Sequence, residues 1–170
     1  VSGPLVVIGG DAAGMSAAAE ARRGDSDLEI LVLERGSEVS YAACGIPYLV
    51  SGEVRDEADL VHHDPAYFLR ERRIDVRTGA EATAIDSAAR TVTLASGQRI
   101  AYGSLLVATG ARPLLPAIAG IDLPGVLAIR DLPSARAVAG RLAHHPAARA
   151  VIVGSGPIGV EMAEALLAHG

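Results

Sequence analysis

Apolar positions fall into two rhythms along this chain. Leu5-Val6-Val7-Ile8 is an unbroken apolar run, the composition of a short strand buried on both faces, and Gly9-Gly10 interrupts it. Ala12 to Arg23 reads as an alanine-rich helix that closes at Gly24, a residue suited to a helix C-terminus. Glu29 to Glu34 is a second strand, so the opening of the chain predicts a βαβ unit. Ala66 to Arg72 looks helical, and Ile74 to Arg77 looks like a strand edge. From Glu81 to Ala108 the rhythm shortens. Ala82 to Ile85, Arg90 to Leu94 and Gln98 to Ala101 read as strands joined by turns at Asp86-Ser87 and Ser96-Gly97, a small antiparallel meander laid on the parallel sheet. Leu105 to Ala108 returns to buried-strand composition and stops at Thr109-Gly110.

Pro113, Pro116, Gly120, Pro124 and Gly125 punctuate the next stretch as a connection between domains. Leu132 to Leu142 reads as a helix. Val151-Ile152-Val153 opens a second strand-glycine-helix unit, with its helix over Val160 to Ala168. The chain ends inside that unit, at Gly170, and so reads as the N-terminal part of a longer protein. The two glycine-rich units are its only internal echo. The expectation is an α/β protein: a Rossmann-like parallel sheet, a small antiparallel β-meander and the start of a second Rossmann unit.

Composition narrows the function classes. Half of the 170 residues are apolar, so a sizeable core can form, built from Ala, Val, Leu and Ile because aromatics are scarce. The net charge is −5, the charges of both signs are interspersed, and no basic stripe suits a nucleic acid. A single cysteine rules out a disulfide within the chain and fits a reducing, cytoplasmic setting. The first ten residues hold no Lys or Arg, unlike a signal peptide, and no segment has the length of a membrane span.

The second glycine-rich unit carries the clearer chemical signature. Gly154-Ser155-Gly156-Pro157-Ile158-Gly159 matches G-x-G-x-x-G. The first glycine permits a tight turn, the second lets the backbone approach a pyrophosphate, and the third lets helix and strand pack closely. The helix N-terminus then offers free N–H groups and a positive dipole to phosphates. In the first unit, Gly9-Gly10-Asp11-Ala12-Ala13-Gly14, Asp11 replaces the middle glycine, and its carboxylate would face a pyrophosphate unless it turned away. Glu34 closes the second strand twenty residues after Gly14, where an acid accepts hydrogen bonds from a ribose; the alternative is a solvated strand end. The equivalent acid of the second unit would fall beyond Gly170, which leaves its nucleotide as NADH or NADPH.

Cys44 lies in Ser40-Tyr41-Ala42-Ala43-Cys44-Gly45-Ile46-Pro47-Tyr48. A lone cysteine is ordinarily a small buried hydrophobe. A helix starting at or just after Cys44 would instead favour its thiolate and make it a redox sulfur. His62-His63 and His144-His145 read as solvated residues, without the Cys or carboxylate neighbours of a zinc site, and no metal is expected. Asp64 and Glu71 read as solvated charges.

Two nucleotide-binding units around one cysteine motif resemble the pyridine nucleotide-disulfide oxidoreductases. The string from Ser40 to Tyr48 is similar to their single-cysteine branch: coenzyme A-disulfide reductases, coenzyme A-dependent persulfide reductases and related NADH oxidases. Gly9 to Arg23 is also close to that branch, and Ala108-Thr109-Gly110-Ala111 looks like the family's second FAD contact. The resemblance implies a fold that binds FAD and NAD(P)H. Residues 1–112 would be a first, incomplete segment of the FAD domain and 113–170 the start of the NAD(P)H domain. It implies that Gly9, Gly10, Ala12, Ala13, Gly14, Glu34, Ala82, Thr109 and Gly110 contact FAD, and that Gly154, Gly156 and Gly159 hold NADH or NADPH. Cys44 would lie against the isoalloxazine ring, and Ser16, Glu20, Arg23 and Ser40 match positions near coenzyme A. Arg22 shares that expectation with Arg23, and Arg23 also suits a helix C-terminus as a cation.

The departures sharpen the resemblance. Ala43 stands where coenzyme A-disulfide reductases often have Asn. Ala12 stands where NADH peroxidases carry a histidine, which argues against that subgroup. No second cysteine follows Cys44, so a glutathione-reductase-like internal disulfide is excluded, and the family's Tyr-Asp is Tyr102-Gly103 here. The implied activity passes electrons from NAD(P)H through FAD to Cys44 and on to a small disulfide or persulfide that contains coenzyme A. The full-length enzyme would be a homodimer. The alternatives are an NADH oxidase that reduces O₂ and an inactive nucleotide-binding fragment.

Overall fold

The computed structural model describes residues 3–144 and 149–169. His145 and the chain end at Gly170, both included in the expectations above, lie outside the described residues. In chain order the elements are β1 (Leu5–Ile8), α1 (Ala12–Gly24), β2 (Ile30–Leu33), α2 (Ile46–Ser51), α3 (Pro65–Arg72) and β3 (Asp75–Arg77). They continue with β4 (Ala82–Asp86), β5 (Thr91–Leu94), β6 (Arg99–Ala101), β7 (Ser104–Val107), α4 (Leu132–His144) and α5 (Pro157–Leu167). Short 3₁₀ turns occupy Ala43–Gly45 and Glu57–Leu60.

The chain forms two compact units, one of residues 1–41 and 61–110, the other of 42–60 and 111–170. In the first, β1 is central to a parallel sheet of order β3-β2-β1-β7, with Val7 opposite Val32 and Leu106. One face of the sheet packs Val7, Ile30, Val32 and Val76 against Met15 and Ala18 of α1 and Phe68 of α3. The other face packs Val6, Ile8, Leu31 and Leu33 against Val92, Leu94 and Ile100 of the antiparallel meander β4-β5-β6. Burial on both faces is why β1 and β2 read as unbroken apolar runs rather than alternating ones.

The second unit is helical. α2 packs against both α4 and α5, and Ile46, Val50, Leu132, Ala135, Met162 and Ala165 are buried. The expected strand Val151–Val153 does not form. A strand needs a neighbour to complete its ladder, no described segment pairs with these residues, and Val151 and Val153 are 89% and 79% exposed. The helix that follows begins at Pro157, three residues before the expected Val160, because proline fits the first helical position. Gly24 is the last helical residue of α1 rather than a left-handed residue beyond it, and the extended Asp25 is the cap.

Candidate dinucleotide turns and the Cys44 turn

At the carboxyl ends of the parallel strands, the first unit gathers most of its expected site residues. The β1–α1 turn starts at Gly9, whose φ of +111° belongs to glycine. A Cβ there would overlap the Ala108 carbonyl oxygen, and one on Gly14 would overlap the Gly9 carbonyl oxygen. Ala108 donates its N–H to the Ile8 carbonyl at 2.8 Å, so the end of β7, with exposed Thr109 and Gly110, runs beside the glycine turn. The strand order reverses between β1 and β7, the switch point at which open α/β sheets bind ligands.

Glu34 reaches the same turn. Its Oε2 accepts the Gly10 N–H and its Oε1 the Gly36 N–H, both at 2.7 Å. A carboxylate has about four lone-pair sites, so capacity remains for ribose hydroxyls. Asp11 is the N-cap of α1. Its carbonyl accepts the Met15 N–H at 2.9 Å, and its carboxylate makes no cap to the helix, which leaves the first-turn N–H groups near exposed Ala12 and Ala13 to another acceptor. The Asp11 Oδ1 is buried. Ala82, half-buried at the start of β4, packs against the core between the meander and the sheet.

Ser16, Glu20 and Arg23 are exposed at helical spacing on one face of α1, and Glu20 forms an ion pair with Arg23. Arg22 is committed elsewhere. Its guanidinium donates to the carbonyls of Arg72 at 3.0 Å and Arg73 at 2.8 Å, at the end of α3, and to that of Ser26 at 2.6 Å. Ser40 has a left-handed backbone, φ +52°, and spans two bonds: its N–H donates to the Gly10 carbonyl and its carbonyl accepts the His62 N–H, both at 3.0 Å.

The second unit repeats the turn. Gly154 has φ +116°, and a Cβ on Gly159 would overlap the Gly154 carbonyl oxygen, as between Gly14 and Gly9. Gly156 is the N-cap of α5. Beside it, Ile152, Gly154, Ser155, Gly159, Val160 and Ala163 line an open hollow of about 460 Å³. In the same unit Cys44 is exposed, on the 3₁₀ turn Ala43–Gly45 that leads directly into α2. It is not the buried hydrophobe that a lone cysteine ordinarily is. The Gly45 N–H donates to the Ala42 carbonyl at 2.8 Å, and a Cβ on Gly45 would overlap Leu60 Cδ2.

Sequence reasoning missed some polar contacts. Asp64 is exposed, as expected of a solvated charge, and is also the N-cap of α3, accepting the Tyr67 N–H at 2.7 Å; Asp before Pro65 was the available signal for the cap. His63 stacks on Tyr67, with ring centroids 3.7 Å apart. Glu57 with Arg136, and His169 with Val50, are joined across stretches of chain too long for any local pattern to reveal. Among the described residues no group of three or more His, Cys, Asp or Glu could hold a metal ion. No described helix is long and apolar enough to cross a membrane.

Two matching glycine turns at helix N-termini, with an acid on the first, mark a Rossmann-like dinucleotide-binding protein. The sequence profile described as pyridine nucleotide-disulphide oxidoreductase matches residues 3–170, and the chain belongs to that family. It is 40% identical to an NAD(P)H sulfur oxidoreductase (CoA-dependent) of Pyrococcus abyssi, over 98% of this chain and 37% of that protein. It is 33% identical to an NADH oxidase of Methanocaldococcus jannaschii, over 97% of this chain and 38% of that one. Its fold superposes on an NAD-dependent persulfide reductase from A. fulgidus with a TM-score of 0.92 and 40% identity, covering 98% of this chain and 32% of that one. The chain thus spans about 37% or 38% of the length of these sequence relatives.

Proposed function

We propose that the full-length protein is an FAD-dependent NAD(P)H oxidoreductase that reduces a small disulfide or persulfide through Cys44. The observation that carries this reading is an exposed thiol on an ordered turn, in a chain that builds the same glycine cradle twice. The residues fit the implied groups. The turn from Gly9 to Gly14, Glu34 and Thr109-Gly110 would hold FAD within residues 1–112. Gly154, Gly156 and Gly159 would hold NADH or NADPH in the domain that begins at 113. Bound flavin supplies the two-electron relay between nicotinamide and sulfur.

Cys44 does the sulfur chemistry. Its thiolate attacks one sulfur of a disulfide RSSR, forming a mixed disulfide and releasing RS⁻, which takes a proton. Two electrons and a proton then cleave the mixed disulfide, releasing the second RSH and restoring the Cys44 thiolate. Coenzyme A is the thiol we assign to R, held by Ser16, Glu20, Arg23 and Ser40. The setting is the cytoplasm and the working form is a homodimer. In the full-length protein, Cys44→Ser should abolish NAD(P)H-dependent reduction of coenzyme A disulfide while retaining bound flavin. Disulfide turnover that persists in that variant would disprove the role. NAD(P)H consumption with O₂ alone, equal to that with the disulfide, would favour the NADH oxidase reading.

A further inference from the structure

A 3₁₀ turn followed by a six-residue helix is too short to hold its own shape in water, so the position of Cys44 is set by what its segment is fastened to. Two polar fastenings, at opposite ends of the segment, reach α4 and the residues just past α5. At the far end of α2 the terminal carbonyls have no helical partner. The Tyr48 carbonyl accepts the Val54 N–H at 3.0 Å, and that of Leu49 accepts the Gly52 N–H at 3.3 Å. The Val50 carbonyl is met by His169 Nε2 at 2.6 Å, just past the end of α5. A carbonyl only accepts, so Nε2 carries the proton.

At the near end, Arg136 of α4 forms an ion pair with Glu57, the first residue of the 3₁₀ turn Glu57–Leu60. Leu60 closes that turn against the cysteine. Its carbonyl accepts the Ala42 N–H at 2.7 Å, and its side chain fills the space beside Gly45 that any Cβ would occupy. The contacts therefore run from Arg136 through Glu57 and Leu60 to the residues on both sides of Cys44.

We infer that His169 and Arg136 are positioning residues for Cys44: they fasten the cysteine turn and its helix to α5 and α4, and thereby set how the thiol is presented. This inference rests on the proposed role of Cys44, but its test does not. In the full-length protein, His169→Leu removes the donor, His169→Gln retains one, and Arg136→Met removes the ion pair. The readouts are the alkylation rate of Cys44 by iodoacetamide, followed on its peptide by mass spectrometry, and kcat and KM for coenzyme A disulfide, alongside flavin content.

We expect His169→Leu and Arg136→Met each to change the alkylation rate and to lower kcat roughly tenfold, with little change in KM or flavin content. His169→Gln should restore most of both. Wild-type alkylation rates in His169→Leu and Arg136→Met would overturn the inference even if Cys44 proves to be the redox sulfur. Loss of flavin and of cooperative unfolding in both variants would overturn it in favour of a general structural role. If alkylation changes as expected while Cys44→Ser still turns over disulfide, the inference stands and the functional reading fails.

Discussion

Gly14 sits so close to the carbonyl oxygen of Gly9 that a Cβ on residue 14 would overlap it. The contact is between backbones, so relief requires α1 to move off β1. We expect Gly14→Ala to destabilise the first unit by about 1–3 kcal/mol, the usual cost of overpacking a closed site. Gly24→Ala is the matched control: a Cβ there meets nothing within 4 Å, and the residue is helical. Alanine at 24 should stabilise α1 by about 0.5–1 kcal/mol. Urea unfolding of the two variants against the parent gives the comparison, and equal stabilities would contradict the geometry.

The Gly9–Gly14 contact also explains what could be read without coordinates. A helix packed tightly on a strand needs glycine at a fixed spacing from the turn, and the sequence shows that spacing twice, at Gly9 with Gly14 and at Gly154 with Gly159. The parallel strands were legible because burial on both faces leaves no polar alternation. Val151–Val153 misled for the same reason: composition reports what a segment is suited to pair with, whereas a strand exists only when a partner does. α5 starts at Pro157, inside the G-x-G-x-x-G match, because proline is at home in a first helical turn. At the candidate site, Glu34 was legible from its distance to the glycines. His169 with Val50 joins residues 119 apart, and no local periodicity encodes such a pair.

Arg22 and Arg23 are neighbours in sequence with different contacts. Arg22 donates to four backbone carbonyls, those of Asp25 and Ser26 after α1 and of Arg72 and Arg73 at the end of α3. Its planar guanidinium satisfies several acceptors at once, which a lysine ammonium on a flexible stem does not reproduce. Arg22→Ala should cost about 1–2 kcal/mol, and Arg22→Lys should recover only part of it. Arg23 makes one exposed ion pair with Glu20. Arg23→Ala should change stability by less than about 0.5 kcal/mol. If Arg23 meets coenzyme A, its loss should raise KM for coenzyme A disulfide and leave kcat nearly unchanged. Thermal unfolding together with steady-state kinetics on the full-length variants separates the two arginines, and equal stability losses would contradict the division of labour.

Ser40 sits in the left-handed region at φ +52°, where a β-carbon costs about 1–2 kcal/mol and glycine sits without strain. Its hydrogen bonds to the Gly10 carbonyl and from the His62 N–H are made by backbone atoms and survive any side-chain change. Ser40→Gly therefore keeps the bonds and removes the strain. Part of that gain is lost to glycine's freer unfolded chain, which leaves a net stabilisation of up to about 1 kcal/mol. Ser40→Ala keeps the strain and removes only the hydroxyl, so it should unfold close to the parent. If the hydroxyl contacts coenzyme A, both variants should raise KM for coenzyme A disulfide by a similar factor, although only the glycine variant is more stable. Calorimetry and disulfide kinetics on the pair distinguish the two roles. A glycine variant less stable than the alanine variant would mean that the Ser40 side chain, rather than its backbone, holds the segment in place.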